Sequence, residues 1–245
     1  MLTRRTLWLK SIEALPALPR GAIGTAIRYA VAKGTRLAPL QSVIARGDTV
    51  VQVGAVGKGE LWEMLRLVGP HGRVVVVEPA PDNLQMIRTR IEDERVANVT
   101  VIPKGAWSER GTQTLYMHPQ FAGSHIMLAS GARHDRAMRP EAYADAVEIE
   151  VDRLDELLAQ YGIERCDFIK ITVMGAEMKV LAGMERLLQT TPKVWVKAHA
   201  LIDGEPANRA ISGLLEQRGY RTVLLRGNLG PDGRQRPGDV YATRF

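Results

Sequence analysis

Two different hydrophobic rhythms divide this chain near residue 48. Residues 1–47 place apolar side chains at helical intervals (Leu7, Ile12, Leu15, then Ile23, Ile27, Ala30, Val31), interrupted by Pro16, Pro19 and Gly21. From Asp48 onward, short β-branched runs alternate with helical segments. Thr49–Val53, Arg73–Val77, Val99–Ile102, Asp167–Val173 and Lys193–Ala198 read as strands. The Val-Val-Val-Val of the second run is apolar on both faces, as a central parallel strand requires. Glu60–Val68, Pro81–Ile91, Ala176–Leu188 and Pro206–Gln217 have helical spacing, and Asp152 is expected to cap a helix ending at Gly162.

Strands alternating with helices predict an α/β fold, a Rossmann-like, doubly wound, mostly parallel sheet. Tyr220–Leu225 and Val240–Phe245 are expected to close it as a hairpin, which implies an antiparallel edge strand. A further hairpin is expected over Gly105–Tyr116, around Glu109-Arg110-Gly111. Residues 117–147 have no clear period, contain His118, His125 and His134, and read as an insertion over the site. The organisation is thus a helical extension (1–47) and one domain (48–245).

Composition narrows the function classes. The chain has 245 residues and 45% hydrophobic content, enough for one sizeable core. Aromatics make up 5%, so no stacking platform for single-stranded nucleic acid is advertised, and no nucleic-acid partner is expected. The formal charge of +6 reads as a solvated basic surface. The extension is basic (Arg4, Arg5, Lys10, Arg20, Arg28, Lys33, Arg36) and reads as a lid or packing helix, with peripheral membrane contact as the other reading. Cys166 is the single cysteine, so no intramolecular disulfide or cysteine zinc cage is expected, and it reads as a small buried hydrophobe. No secretory signal or spanning segment is read, and the expected compartment is the cytoplasm.

The densest chemical signal is Val51-Gln52-Val53-Gly54-Ala55-Val56-Gly57-Lys58-Gly59, a strand entering a glycine-rich turn before a helix. Such a turn brings backbone N–H groups and a helix N-terminus to an anion: a pyrophosphate for a dinucleotide, a carboxylate for S-adenosylmethionine. Glu78 ends the second strand, where an acidic side chain accepts hydrogen bonds from ribose hydroxyls. Both ligands contain ribose. Tyr29 and Lys33 have the spacing of the short-chain dehydrogenase pair, but they precede the glycine turn, so a catalytic pair is rejected.

From about Thr49 to His199 the chain resembles the FkbM-type methyltransferase family. The resemblance is carried in order by Val51-Gln52-Val53-Gly54-Ala55, Val76-Val77-Glu78-Pro79, Gly105-Ala106-Trp107-Ser108-Glu109-Arg110-Gly111, Val151-Asp152-Arg153-Leu154-Asp155 and Asp167-Phe168-Ile169-Lys170-Ile171-Thr172-Val173-Met174-Gly175-Ala176-Glu177. It implies a class I methyltransferase fold and S-adenosylmethionine as cofactor. Gly54 and Ala55 would line the methionine moiety, Glu78 would hold the ribose, Ala106 and Trp107 would lie near the adenine, and Gln52, Val53, Gly57 and Pro79 would complete the cofactor site. Trp107 reads equally as a core aromatic. Thr172 and Glu177 would flank the transferable methyl, and Ser124 and His125 would meet the substrate, a small-molecule or glycan acceptor.

His199 matches a histidine of the family and is the first choice of general base for O-methylation, with His125 the second. The family pattern has carboxylates where this chain has Gln52, Thr172, Met174 and Lys197, and Asn where it has Val56. That loss argues against a metal-assisted mechanism and keeps open an alternative: a non-catalytic cofactor- or partner-binding protein on the same fold.

Overall fold

The computed structural model describes residues 38–54, 59–117, 125–126, 145–198, 201–202, 205–225 and 238–244. Helix α1 (Ala38–Val43) leads into β1 (Thr49–Val53), α2 (Glu60–Val68), β2 (Arg73–Val77), α3 (Pro81–Asp93) and β3 (Val99–Ile102). Then follow β4 (Gly105–Trp107), β5 (Gly111–Met117), β6 (His125–Ile126), β7 (Asp145–Arg153) and α4 (Leu154–Ala159). The second half holds β8 (Phe168–Ile171), α5 (Glu177–Ala182), α6 (Glu185–Thr190), β9 (Lys193–Val196), β10 (Leu201–Ile202) and β11 (Glu205–Pro206). It ends with α7 (Ala207–Gln217), β12 (Arg221–Leu224) and β13 (Val240–Thr243).

Seven strands form one sheet in the order β12-β13-β9-β8-β1-β2-β3. The five from β3 to β9 are parallel, and β13 runs antiparallel to both β9 and β12. The closing hairpin expected from sequence is therefore present, with the antiparallel strand one place in from the edge. The arrangement is the Rossmann-like, mostly parallel sheet expected from sequence.

Strand alternation sorts the core into two layers. Val51, Val53, Val75, Ile169, Ile171 and Val194 face one side, packed on Leu154, Leu157, Leu181, Leu187 and Ile211 from α4 to α7. Their sequence neighbours Val50, Val74, Val76, Phe168 and Trp195 face the other, under Leu40, Leu61, Met64 and Ile87 from α1 to α3. Both faces are covered, which explains strands apolar at every position. The strand order reverses between β1 and β8, and such a switch point opens a crevice at the strands' C-terminal ends.

Three expectations are corrected. Strands β4 and β5 do not pair as a hairpin: they flank β7, with Gly105 and Gly111 both opposite Val151, so the turn between them crosses over a shared neighbour. The segment expected as one helix over Ala176–Leu188 is two, because Gly183 lies against β4. A Cβ there would sit 1.8 Å from the Trp107 carbonyl oxygen, and the chain breaks helix to pass. Asp152 does not cap α4, whose N-cap position is Arg153 with no side-chain cap bond. Asp155 caps α6 instead, accepting from the N–H groups of Arg186 and Leu187, both at 3.0 Å.

Candidate active site

The ends of β1, β2 and β8 converge at the switch point. Gly54 leaves β1 with φ of +78°, donating its N–H to the Val77 carbonyl at 2.8 Å. A Cβ at this position would lie 2.1 Å from the Thr172 carbonyl oxygen, so the two chain segments approach to near backbone contact. Only glycine satisfies both the positive φ and the approach. The Thr172 N–H in turn donates to Val53 at 2.8 Å, locking the end of β8 to the end of β1.

Buried polar atoms gather around this cradle. Gln52 is 1% exposed, and its amide nitrogen reaches the Gly54 carbonyl at 3.4 Å. Among the described residues its Oε1 has no hydrogen-bond partner, nor has the Thr172 hydroxyl or the Asn83 Oδ1. A buried, unpaired polar atom costs about 1–3 kcal/mol, so the Gln52 and Thr172 atoms at the cradle mark groups that a ligand would satisfy. Glu78 is buried beside them after β2, its Oε1 accepting from the Ala80 N–H at 2.8 Å. That bond aims the carboxylate along the strand end. Pro79 is half-buried.

Glu177 opens α5 and is buried, its Oε1 accepting from the Gly175 N–H at 3.3 Å. Ala106 and Trp107 are buried in β4. The Trp107 ring belongs to an apolar cluster with Ala80, Leu115, Ile149, Val151 and Ala176, and the Lys179 ammonium lies 5.8 Å from its centroid. Its packing is that of a core aromatic that also reaches Ala80, two residues beyond Glu78. Ala55, Gly57, Ser124 and His199 lie outside the described residues, as does the His125 side chain; the backbone of His125 is in β6.

Two residues near the site were not singled out from sequence. Asn83 sits in the first turn of α3, buried, and the signal was a polar amide two residues after Pro81. Lys170 lies in the middle of β8 at 2% exposure, an ammonium inside Phe-Ile-Lys-Ile. A charge within a run that otherwise reads as a central strand was the visible signal. Burial holds its pKa below the usual lysine value, against the opposing pull of Glu60. Cys166 is buried against the Thr191 hydroxyl, and burial pushes its pKa to about 12, so it is a packing residue. Among the described residues, no helix is long and apolar enough to cross a membrane.

The family model described as the methyltransferase FkbM domain matches residues 52–222. Methyltransferase sdnD of Sordaria araneosa is 25% identical over 187 residues, 66% of this chain and 70% of that protein. AMB antimetabolite synthetase AmbE of Pseudomonas aeruginosa is 33% identical over 215 residues, 74% of this chain but 10% of that protein. Hexuronic acid methyltransferase AglP of Haloferax volcanii is 25% identical over 160 residues, 62% of this chain and 61% of its own. Among solved structures, methyltransferase FkbM from Methylobacillus flagellatus superposes with a TM-score of 0.52 at 15% identity, covering 97% of this chain and 59% of that one. Aeropyrum pernix fibrillarin, solved with natively bound S-adenosylmethionine, gives 0.50 at 15% identity, covering 82% and 68%. The glycine cradle, the acidic strand end and the strand order thus coincide with a match over most of the chain, and this protein belongs to the FkbM methyltransferase family.

Proposed function

We propose that this chain transfers a methyl group from S-adenosylmethionine to a hydroxyl oxygen of a small molecule, sugar or lipid-linked glycan. The observation that carries the reading is the Gly54 cradle, closed by the Thr172 carbonyl and ringed by the orphaned polar atoms of Gln52 and Thr172. Those atoms fit the polar methionyl end of the cofactor, and the buried Glu78 carboxylate fits ribose hydroxyls. When bound, the cofactor supplies a methyl group on a positively charged sulfur. AglP, by its name a hexuronic acid methyltransferase, supports a sugar-like acceptor.

The residues contribute chiefly by positioning. In-line transfer needs the acceptor oxygen and the methyl carbon aligned and close, and holding them so removes much of the barrier. Thr172 and Glu177 bracket the exit of β8, where the acceptor would approach. His199, just past Ala198, would take the hydroxyl proton as the oxygen attacks.

Calorimetry with S-adenosylmethionine, S-adenosylhomocysteine and NAD tests the cofactor, alongside Glu78→Ala. Binding of the first two, lost in the variant, supports the reading; binding of NAD alone overturns it. A second reading, cofactor binding without transfer, is favoured by the neutral side chains of Gln52 and Thr172 at the cradle. It predicts binding but no S-adenosylhomocysteine formed across a panel of sugar and small-molecule hydroxyl acceptors.

A further inference from the structure

Lys170 is a costly residue. An ammonium at 2% exposure in the middle of a parallel sheet loses its hydration and must recover it from protein groups. The register places it beside Gln52 on β1 and Trp195 on β9, all on the face covered by α1 to α3. Its Nζ pairs with the Glu60 carboxylate, itself 39% exposed, and lies 5.4 Å from the centroid of the Trp195 ring. Asp239 holds that ring from beyond, accepting from the indole N–H at 2.8 Å.

Glu60 is the first residue of α2, directly after Gly59, whose φ of +100° turns the chain into the helix. No side chain caps this helix start. The ion pair therefore ties the beginning of α2 to the sheet next to Gln52, while the backbone bonds of Gly54 tie the end of β1. Both ends of the glycine-rich turn are fixed, one by backbone contact and one by a single buried charge.

We propose that Lys170 is a positioning residue for the cofactor site: through Glu60 it holds the start of α2 at the spacing from β1 that the methionyl end of the cofactor requires. The inference rests on the cofactor reading above. It also explains why a buried charge is retained where an apolar residue of similar size would cost less. The groups that bear on the ammonium are Glu60, Asp239 and, opposing them, Lys197.

A purely structural lysine and a positioning lysine respond differently to Lys170→Met. Removing the charge leaves Glu60 near solvent and relieves the desolvation, so the melting temperature should hold or rise. Binding of S-adenosylhomocysteine should weaken by about tenfold, and amide exchange at residues 59–64 of the ligand-free protein should speed up by a similar factor. Glu60→Gln should give a smaller loss, and the double variant should be no weaker than Lys170→Met alone, since the two act as one unit. Wild-type binding should also decline as alkaline pH neutralises Lys170, a decline absent from Lys170→Met. Unchanged exchange and affinity in Lys170→Met overturns the proposal, as does a loss of affinity that only tracks a fall in melting temperature. If the wild type binds neither cofactor form, the functional reading fails, while the exchange measurement still decides whether Lys170 holds α2.

Discussion

The two ends of the seven-stranded sheet are built on opposite principles. At the N-terminal ends of the parallel strands, half-buried and buried polar groups are matched. Asp167 accepts from the Thr49 N–H at 2.8 Å, and the Asn98 amide donates to the carbonyls of Gly69 and Gly72, both at 2.9 Å. The Tyr220 hydroxyl meets the carbonyls of Leu188 and Thr191, and Arg244 donates to Leu188 and Gln189. At the C-terminal ends, Gln52 and Thr172 keep unmatched polar atoms, with Asn83 just beyond β2. One end is stapled for stability. The other carries unsatisfied buried groups, a cost that makes sense where a ligand completes the bonding.

Substitutions at the two ends should therefore separate stability from binding. The largest effect is expected at Gly54. Gly54→Val combines an unfavourable φ with a Cβ inside the Thr172 carbonyl, costing about 3 kcal/mol or more. Urea denaturation should show that loss, and cofactor binding should disappear with it. Glu78→Ala comes next: a charged hydrogen-bonding group is worth about 1.5–3 kcal/mol, so cofactor affinity should fall at least tenfold. Its melting temperature should drop far less than that of Gly54→Val.

Asp167→Ala tests the other end. Leaving the Thr49 N–H unpaired should cost about 1–2 kcal/mol in denaturation, with cofactor affinity within twofold of wild type. An affinity loss as large as that of Glu78→Ala would break the contrast between the ends. The smallest effect is expected from pH. Burial raises Tyr220 from 10.0 to about 12, so the folded state keeps a proton that the unfolded chain releases. The stabilisation is whole below pH 10 and is lost as pH rises through 12. Urea midpoints at pH 9 and 11 should show a steeper alkaline decline for wild type than for Tyr220→Phe.

The sequence made the stable architecture easy to read and the site only partly so. Valine runs such as Val74–Val77 announce a central strand because both faces must be apolar. Gly54 and Glu78 were visible because a turn and a strand end demand particular residue types. Partners distant in sequence were hidden. Nothing local indicates that β4 and β5 share β7, that Gly183 must pass the Trp107 carbonyl, or that Asp155 caps α6 rather than its own helix. Lys170 stood in plain view within a motif, but its meaning depended on Glu60, which reaches it only once β1 and β8 are side by side.

That pairing of β1 with β8 has a consequence for how the chain is born. Strand β1 meets β2 soon after both are made, but its other edge waits for β8, with Thr49 and Asp167 separated by 118 positions. At ordinary translation speeds that interval is on the order of ten seconds. Throughout it, the nascent β1–β3 unit presents an open, valine-rich edge to solvent or to a chaperone. Fragments ending before Phe168 should therefore aggregate, and refolding should be slow, limited by closure of this long loop rather than by formation of the helices.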